Sequence, residues 1–176
     1  TYFSKSKGCK VWDLNNKVYT DMSLMGVGTN ILGYCNSEVD NAVKKVIKKG
    51  NLTTLNCPEE VILAEKLLSM HPWAGKVKFA RTGGEANAVA VRIARSASER
   101  ENVAFCGYHG WHDWYLATNL KNKNNLTNHL LPGLEPLGVH QKLRDTVHPF
   151  EYNDFKGLKS LVERKNIGII KMEVSR

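Results

Sequence analysis

The sequence predicts an α/β fold with a largely parallel sheet. Two observations support this prediction. From residue 77 onward, short apolar runs alternate with amphipathic helical patterns, and the apolar run at residues 167–174 follows directly on one of those helices. Parallel strands need a crossover connection, usually a helix, so this alternation favours parallel pairing with flanking helices. We expect a small N-terminal segment at residues 1–50 and the first part of a larger α/β domain at residues 51–176, incomplete at its C-terminus.

Three local patterns define the N-terminal segment. Residues 10–12 and 18–20 flank a polar turn, as in a β-hairpin. The run MGVGTNILG, residues 25–33, contains three glycines and predicts an irregular loop. Residues 37–49 predict a helix, because Ser37 can serve as N-cap, acidic residues occupy the first turn, lysines occupy the last turn, and Gly50 follows.

The larger domain is predicted from a longer series of elements. Helices are expected at residues 58–70 and 85–98 and after Asn153 or Asp154, and strands at residues 77–80, 103–106, 147–150 and 167–174. The inward face of the second of these helices is predicted to comprise Ala86, Val89, Ala90, Ile93, Ala94 and Ala97. Residues 116–138 are polar and contain Pro132 and Gly133, which predicts a long mobile loop of the kind that often forms a lid.

Composition limits the class of protein. The net charge is +8, which suits an anionic partner such as a phosphorylated ligand or a nucleic acid. The lysines are spread over amphipathic segments, so we do not expect nucleic-acid binding. The cysteines form no CxxC pair, which favours reduced thiols in a cytoplasmic protein, and no apolar run approaches the roughly 20 residues of a membrane span. The chain ends on an apolar strand without a returning helix, so we expect it to be part of a longer one.

A glycine pair, Gly83 and Gly84, lies between the predicted strand at 77–80 and the predicted helix at 85–98. The unpaired amides of a first helical turn point outward, and the helix dipole favours an anion there. The pattern therefore predicts a phosphate site at these two residues. The structural alternative, which the spacing supports equally, is a turn that requires positive φ. A nucleotide-triphosphate loop is disfavoured because no GxxxxGK[ST] motif is present.

The loop YHGWHD after the predicted strand at 103–106 allows two functional interpretations. His109, His112 and Asp113, with Cys106 nearby, are of metal-ligand types. No further dense cluster of ligands follows, so we expect no metal. The second interpretation is a surface for an aromatic ring, with Tyr108 stacking on it and His109 lining the pocket; aromatic packing at the end of the sheet is an equal alternative. Together with the phosphate site, the second interpretation predicts a phosphorylated cofactor that carries a ring.

The segments TGGEANAVAVRIAR and FCGYHGWHD resemble the S-G-T-E-A, R-x-A-R and Y-H-G pattern of class III pyridoxal-phosphate (PLP) aminotransferases, especially the glutamate-1-semialdehyde aminomutase branch. The segments GCKVWDLNNKVYTDM, NILGYCNSEVDNAV and GIIKMEV extend the resemblance over nearly the whole chain. The resemblance implies an enzyme of PLP-dependent transferase fold type I that moves an amino group through a Schiff-base intermediate. It also implies a homodimer and a small amino, keto or aldehyde substrate.

The resemblance also implies roles for individual residues. It places the cofactor phosphate on Gly83 and Gly84 and the ring of Tyr108 over the pyridine. His109 would lie near the ring, and Glu173 matches the acidic residue of a Glu-Pro strand close to the cofactor. In the family, the Schiff-base lysine and the acid that protonates the pyridine nitrogen lie beyond residue 174, so no catalytic residue is assigned in this chain.

This chain departs from the family at three positions. Gly84 stands where the family has Thr or Ser, Val27 where the aminomutase branch has a Trp that lines the substrate pocket, and Val174 where a Pro follows the acidic residue. Lys171 does not match the family's lysine position, and we interpret it as structural. Two alternatives to an aminomutase stay open: an aminotransferase for a keto-sugar or another surface-polysaccharide precursor, and a non-catalytic homologue or basic binding module.

Overall fold

The computed structural model describes residues 2–129 and 134–175. The chain divides into two compact units, Thr1–Ala74 and Gly75–Arg176. This division groups residues 51–74 with the N-terminal hairpin, whereas the sequence analysis placed the boundary at residue 50. Among the described residues of the first unit none is buried. No helix in the described part of the chain is long and apolar enough to cross a bilayer.

The first unit consists of a small antiparallel sheet and two helices. Its strands are β1 (Phe3–Lys7), β2 (Lys10–Asp13) and β3 (Val18–Thr20), in the order β1-β2-β3, and its helices are α1 (Ser37–Ile47) and α2 (Pro58–Met70). The hairpin and both helices are confirmed, while β1 was not predicted. The N-cap of α1 is Asn36 rather than Ser37, because the Asn36 side chain accepts from the amides of Glu38 and Val39.

The second unit is the α/β part of the chain. Its elements are α3 (Gly83–Ser98), β4 (Asn102–Cys106), α4 (Asp113–Leu116), β5 (Val147–Pro149), α5 (Phe155–Lys165) and β6 (Ile167–Met172). The sheet has the order β5-β4-β6, and both pairings are parallel, which confirms the predicted architecture. The strand predicted at residues 77–80 is wrong. Those residues join no ladder in the described chain.

The core of this unit is built on both faces of β4. Side chains alternate along a strand, so Val103 and Phe105 face one way and Ala104 and Cys106 the other. The first pair packs in a cluster with Val91 of α3 and residues 114–126. The second pair packs with Ile167 and is covered by side chains of α5. This two-sided coverage holds β4 rigidly and fixes the position of the loop that follows it.

The predicted inward face of α3 is largely wrong. The residues that pack on the core are Ala88, Val91 and Ala94, while Ile93 is 59% exposed. Of the six residues predicted to face inward, only Ala94 packs against this cluster. Alanines lie on several sides of α3, so two of its faces are almost equally apolar and the pattern could not orient the helix.

The prediction of a mobile loop at residues 116–138 is wrong for its first half. Residues Ala117–Leu120 form a buried 3₁₀ helix, and Leu126 belongs to the core. The asparagines that indicated a loop satisfy this irregular backbone instead: Asn119 Oδ1 accepts from the amide of Leu126 at 3.1 Å, and Asn125 donates to a main-chain carbonyl. Pro132 and Gly133, which contributed to the same prediction, lie outside the described residues.

Candidate functional site

The candidate site lies at the carboxyl end of the parallel sheet in the second unit. Three features meet there: the first turn of α3, the loop of residues 107–112 that follows β4, and Glu173, which follows β6. Ligands of open α/β sheets bind beyond the carboxyl ends of the strands, where helices begin and loops can vary without disturbing the core. The position is therefore one where a ligand site is expected on topology alone.

The first turn of α3 offers two free amide donors. Thr82 is the N-cap and accepts from the amide of Glu85 at 3.1 Å, while Glu85 Oε2 accepts from the amide of Arg81 at 2.9 Å. Within the described chain, the amides of Gly83 and Gly84 have no acceptor. Both glycines are helical and neither has positive φ, so the alternative of a turn that requires positive φ is wrong.

The loop after β4 packs directly on this helical turn. A Cβ added at Gly110 would lie 3.2 Å from the Cα of Gly84, and one added at Gly84 would lie 2.8 Å from His112 Cδ2. Asn87 Nδ2 donates to the carbonyl of His109 at 3.1 Å. The sequence analysis missed Asn87 and Gly110. A polar residue one helical turn after the glycine pair was the available signal for Asn87.

His109 is buried, with 4% of its surface exposed, and fastens the loop to the end of β4. Its Nε2 donates to the carbonyl of Cys106 at 2.9 Å, and its ring stacks on Trp114 with centroids 6.3 Å apart. Burial lowers the pKa of His109, and the ammonium of Lys171 lowers it further, against smaller opposing effects that include the Glu173 carboxylate. A neutral imidazole with its proton on Nε2 fits these surroundings.

Tyr108 carries a partly exposed aromatic ring on an anchored stretch of backbone. It is 38% exposed, and its ring meets that of Tyr115 edge-on at 6.2 Å. Tyr115 is buried and its hydroxyl donates to the carbonyl of Gly107 at 3.0 Å, which anchors the backbone just before Tyr108. Tyr108 thus combines a supported position with accessible aromatic surface, as a ring-covering residue requires.

Glu173 is joined to the same loop from the side of β6. Its amide donates to the carbonyl of Cys106 at 3.2 Å, and its side chain lies against Gly107. A Cβ at Gly107 would be 2.5 Å from Glu173 Oε2, and the φ of Gly107 is +96°. Nearby Lys171 is half-buried, and burial lowers its pKa while the Glu173 carboxylate opposes that effect. The sequence analysis missed Gly107, whose importance depends on this close approach between distant segments.

The structure therefore brings together the sequence-predicted residues at one end of the sheet. Gly84 contacts the loop through Gly110 and His112, and Glu173 contacts it through Gly107. Free amides supply donors for an anion, Tyr108 supplies an aromatic surface, and Glu173 supplies a carboxylate. In residues 2–129 and 134–175, no group of three or more His, Cys, Asp or Glu side chains could hold a metal ion.

The fold is that of PLP-dependent transferases of fold type I. A solved structure described as a transaminase with PLP bound superposes with a TM-score of 0.84 at 24% identity, covering 98% of this chain and 40% of that one. This likeness shows the fold, with a parallel sheet and flanking helices in one unit and a small antiparallel sheet in the other.

The chain belongs to the class III aminotransferase family, whose model matches residues 1–167. It is 32% identical to a 3-aminobutyryl-CoA aminotransferase of Cloacimonas acidaminovorans, over 92% of this chain and 35% of that protein. It is 31% identical to a glutamate-1-semialdehyde 2,1-aminomutase of Campylobacter fetus, over 98% of this chain and 40% of that protein. A 2'-deamino-2'-hydroxyneamine transaminase of Streptomyces kanamyceticus is 39% identical over 64% of this chain and 29% of its own length. The chain thus spans well under half the length of these relatives.

Proposed function

We propose that the full-length protein is a PLP-dependent enzyme that moves an amino group, either between two substrates or within one. The observation that carries this proposal is the packing of the first turn of α3 against loop 107–112. That packing places the free amides of Gly83 and Gly84 beside the loop that carries Tyr108. Membership of the class III aminotransferase family supports the same reading.

The residues present fit this cofactor. Two unpaired amides at a helix N-terminus suit a phosphate group, because they donate hydrogen bonds and lie at the positive end of the helix dipole. The half-exposed ring of Tyr108 suits a flat heteroaromatic ring. When bound, the cofactor supplies the carbonyl and amine chemistry by which amino groups are exchanged.

The other site residues have positioning roles in this proposal. His109 is buried and its Nε2 is engaged by the Cys106 carbonyl, so it holds the loop rather than exchanging protons with a substrate. Glu173 is held by its amide on the same carbonyl and by the close approach to Gly107, which fixes where its carboxylate lies. Both residues act by holding the loop that carries Tyr108 in its position beside the first turn of α3.

Spectroscopy of the full-length protein tests the proposal. After incubation with PLP and removal of the excess, we expect a visible absorbance band that is abolished by borohydride and altered by an amino donor. A protein that retains no PLP and shows no such band would contradict the proposal and leave the non-catalytic homologue or basic binding module as the better alternative.

For the substrate, we propose glutamate-1-semialdehyde or a closely related amino aldehyde, on the strength of the resemblance in sequence and the aminomutase relative. An aminomutase needs no external amino donor, because the amino group it moves stays on the same carbon skeleton. Incubating the PLP-loaded protein with glutamate-1-semialdehyde alone should therefore yield 5-aminolevulinate. No turnover with that substrate, together with turnover of an amino donor and a separate acceptor, would contradict this choice.

The second candidate is an aminotransferase that acts on a keto-sugar or a related surface-polysaccharide precursor. It is favoured by the 39% identity to a transaminase whose name describes an aminoglycoside substrate. Val27, where the aminomutase branch has a Trp, also favours a different substrate pocket. Amino transfer from glutamate to a panel of keto-sugars distinguishes the two candidates.

The oligomeric state and location belong to the same proposal. We propose a homodimer, which the family resemblance supports, and light scattering of the full-length protein measures it directly. A cytoplasmic location is proposed because the cysteines form no CxxC pair in the sequence, a pattern that favours reduced thiols. Fractionation of the producing cell tests the location.

A further inference from the structure

The imidazole of His112 occupies the space that a side chain at position 84 would need. A Cβ added at Gly84 would lie 2.8 Å from Cδ2 and 2.9 Å from Nε2 of His112. The φ of Gly84 is not positive, so its backbone conformation is open to any residue. The approach of the His112 ring, and not the path of the chain, therefore limits the size of the residue at position 84.

A side chain at position 84 would point toward the free amides of the first turn of α3. In an α-helix the Cα–Cβ bond tilts toward the N-terminus, so a side chain at the second position of α3 would reach the open end of the helix. The ring edge of His112 that carries Nε2 lies there in its place. A hydroxyl at position 84, which the family has as Ser or Thr, would have occupied the same volume.

The backbone of His112 is anchored by its carbonyl group. Its carbonyl accepts from the amides of Tyr115 and Leu116 at 2.9 and 3.1 Å, which sets the start of α4. Its ring lies beside Trp111, with centroids 4.9 Å apart. In the described part of the chain, the ring nitrogens of His112 have no hydrogen-bond partner. A half-buried imidazole is thus held against Gly84, in the first turn of α3.

We propose that His112 Nε2 is a side-chain ligand of the cofactor phosphate, in place of the hydroxyl lost at position 84. This inference rests on the proposed function, since it concerns the same anion site. An imidazole N–H donates to a phosphate oxygen as a hydroxyl does, and hydrogen bonds to an ionised acceptor are the stronger ones. The phosphate donor would then come from the loop, as His112, with the small residue Gly84 on the helix, instead of from a hydroxyl at position 84.

The test compares two ligands that differ by the phosphate alone. Binding of PLP and of pyridoxal to the full-length apoprotein is measured by fluorescence quenching, and inorganic phosphate is used as a competitor. In H112A we expect PLP affinity to fall about tenfold, the scale of one charge-assisted hydrogen bond. Pyridoxal affinity should stay within about twofold. The matched control is H71A, which also removes an imidazole that lies beside a Trp ring.

Two more variants separate ligation from packing. H112Q keeps a donor of similar reach, so it should retain most of the preference for PLP over pyridoxal. In G84T/H112A the hydroxyl returns to the helix as the imidazole leaves, and PLP affinity should recover. G84T alone should bind PLP less well than the wild type, because its Cβ meets the His112 ring.

The outcomes distinguish this inference from the proposed function. A wild-type protein that binds no PLP refutes the proposed function and this inference with it. A wild-type protein that binds PLP normally, with H112A equal to it, refutes this inference alone. Equal losses of PLP and pyridoxal affinity in H112A would also overturn it, because they would show that His112 supports the site without contacting the phosphate.

Discussion

Replacing Gly107 by Ala should strongly destabilise the second unit, for two separable reasons. The φ of Gly107 is +96°, a conformation that L-residues adopt only under strain. An added Cβ would lie 2.5, 2.6 and 2.7 Å from Oε2, Cδ and Cγ of Glu173, so the whole side chain would have to move rather than its tip alone.

The magnitude follows from adding the two effects. Backbone strain at one residue costs about 1–3 kcal/mol, and forcing an extra methyl group into an occupied site costs about another 1–3 kcal/mol. We therefore expect G107A to lower the free energy of unfolding by roughly 2–6 kcal/mol. Combined with E173A, which removes the obstructing carboxylate, the same change should cost only the strain, roughly 1–3 kcal/mol.

Urea unfolding of the full-length apoprotein measures both values without a contribution from bound cofactor. G138A is the matched control, because Gly138 has φ of +83° and an added Cβ would meet nothing within 4 Å. G138A should lower the free energy of unfolding by the same amount as G107A does in the E173A background. If G107A costs the same with and without the Glu173 side chain, the close approach of Glu173 contributes nothing and the reasoning is refuted.

Three further predictions concern the ring cover, the charges and the core. Tyr108→Ala should weaken PLP binding about tenfold through lost stacking area, whereas Tyr108→Phe should bind normally; equal affinity in the Ala variant would mean that Tyr108 only packs. The ammonium groups of Lys121 and Lys165 lower the pKa of Asp145 to about 2, so stability present above pH about 4 should be lost as the pH falls toward about 2. The Asp145 side chain is 41% exposed, so solvent screening limits this to about 0.5–1 kcal/mol, and Asp145→Asn should flatten the pH profile of unfolding. Phe105→Ala, at a fully buried position, should cost about 3–5 kcal/mol in urea unfolding, and a loss below about 1 kcal/mol would contradict the assigned core.

The elements that the sequence predicted correctly are those whose signals are local. The helix of residues 58–70 has proline in its first turn, and the hairpin has a polar turn between two short strands, so neighbouring residues alone define them. The parallel pairing of β4 with β5 and β6 followed from the alternation of strands and helices. The helix and the hairpin needed only the chemistry of nearby residues, and the pairing needed only the order of the elements.

The errors arose where distant segments decide the outcome. The strand predicted at 77–80 has an apolar sequence, but a strand also needs a partner in a ladder. The orientation of α3 depends on which alanines meet Phe105 and its neighbours, and no pattern within the helix records that. Residues 117–120 begin an asparagine-rich stretch and yet are buried, because the side chains of Asn119 and Asn125 form hydrogen bonds with the surrounding backbone.

The residues of the candidate site also divide into those with a local signal in the sequence and those that depend on distant contacts. Gly83, Gly84, Tyr108 and His109 could be singled out because they form compact motifs in the sequence. Gly107 could not, since its close contact is with Glu173, far along the chain. Asn87 offered only the signal of a polar residue one helical turn after the glycine pair, and its partner, the carbonyl of His109, is visible only in the fold. The limit that the His112 ring sets on the residue at position 84 is likewise visible only in the folded chain.

The carbonyl of Cys106 joins the end of β4 to two other segments, since it accepts from His109 Nε2 and from the amide of Glu173. This junction is a main-chain group, so an alanine-scanning experiment at position 106 would leave it intact and report only on core packing. A substitution at position 106 therefore keeps the carbonyl that accepts both hydrogen bonds. A substitution of His109 removes one of the two donors to that carbonyl. A mutational survey of this protein would therefore miss this acceptor unless the peptide bond itself were replaced, for example by an ester.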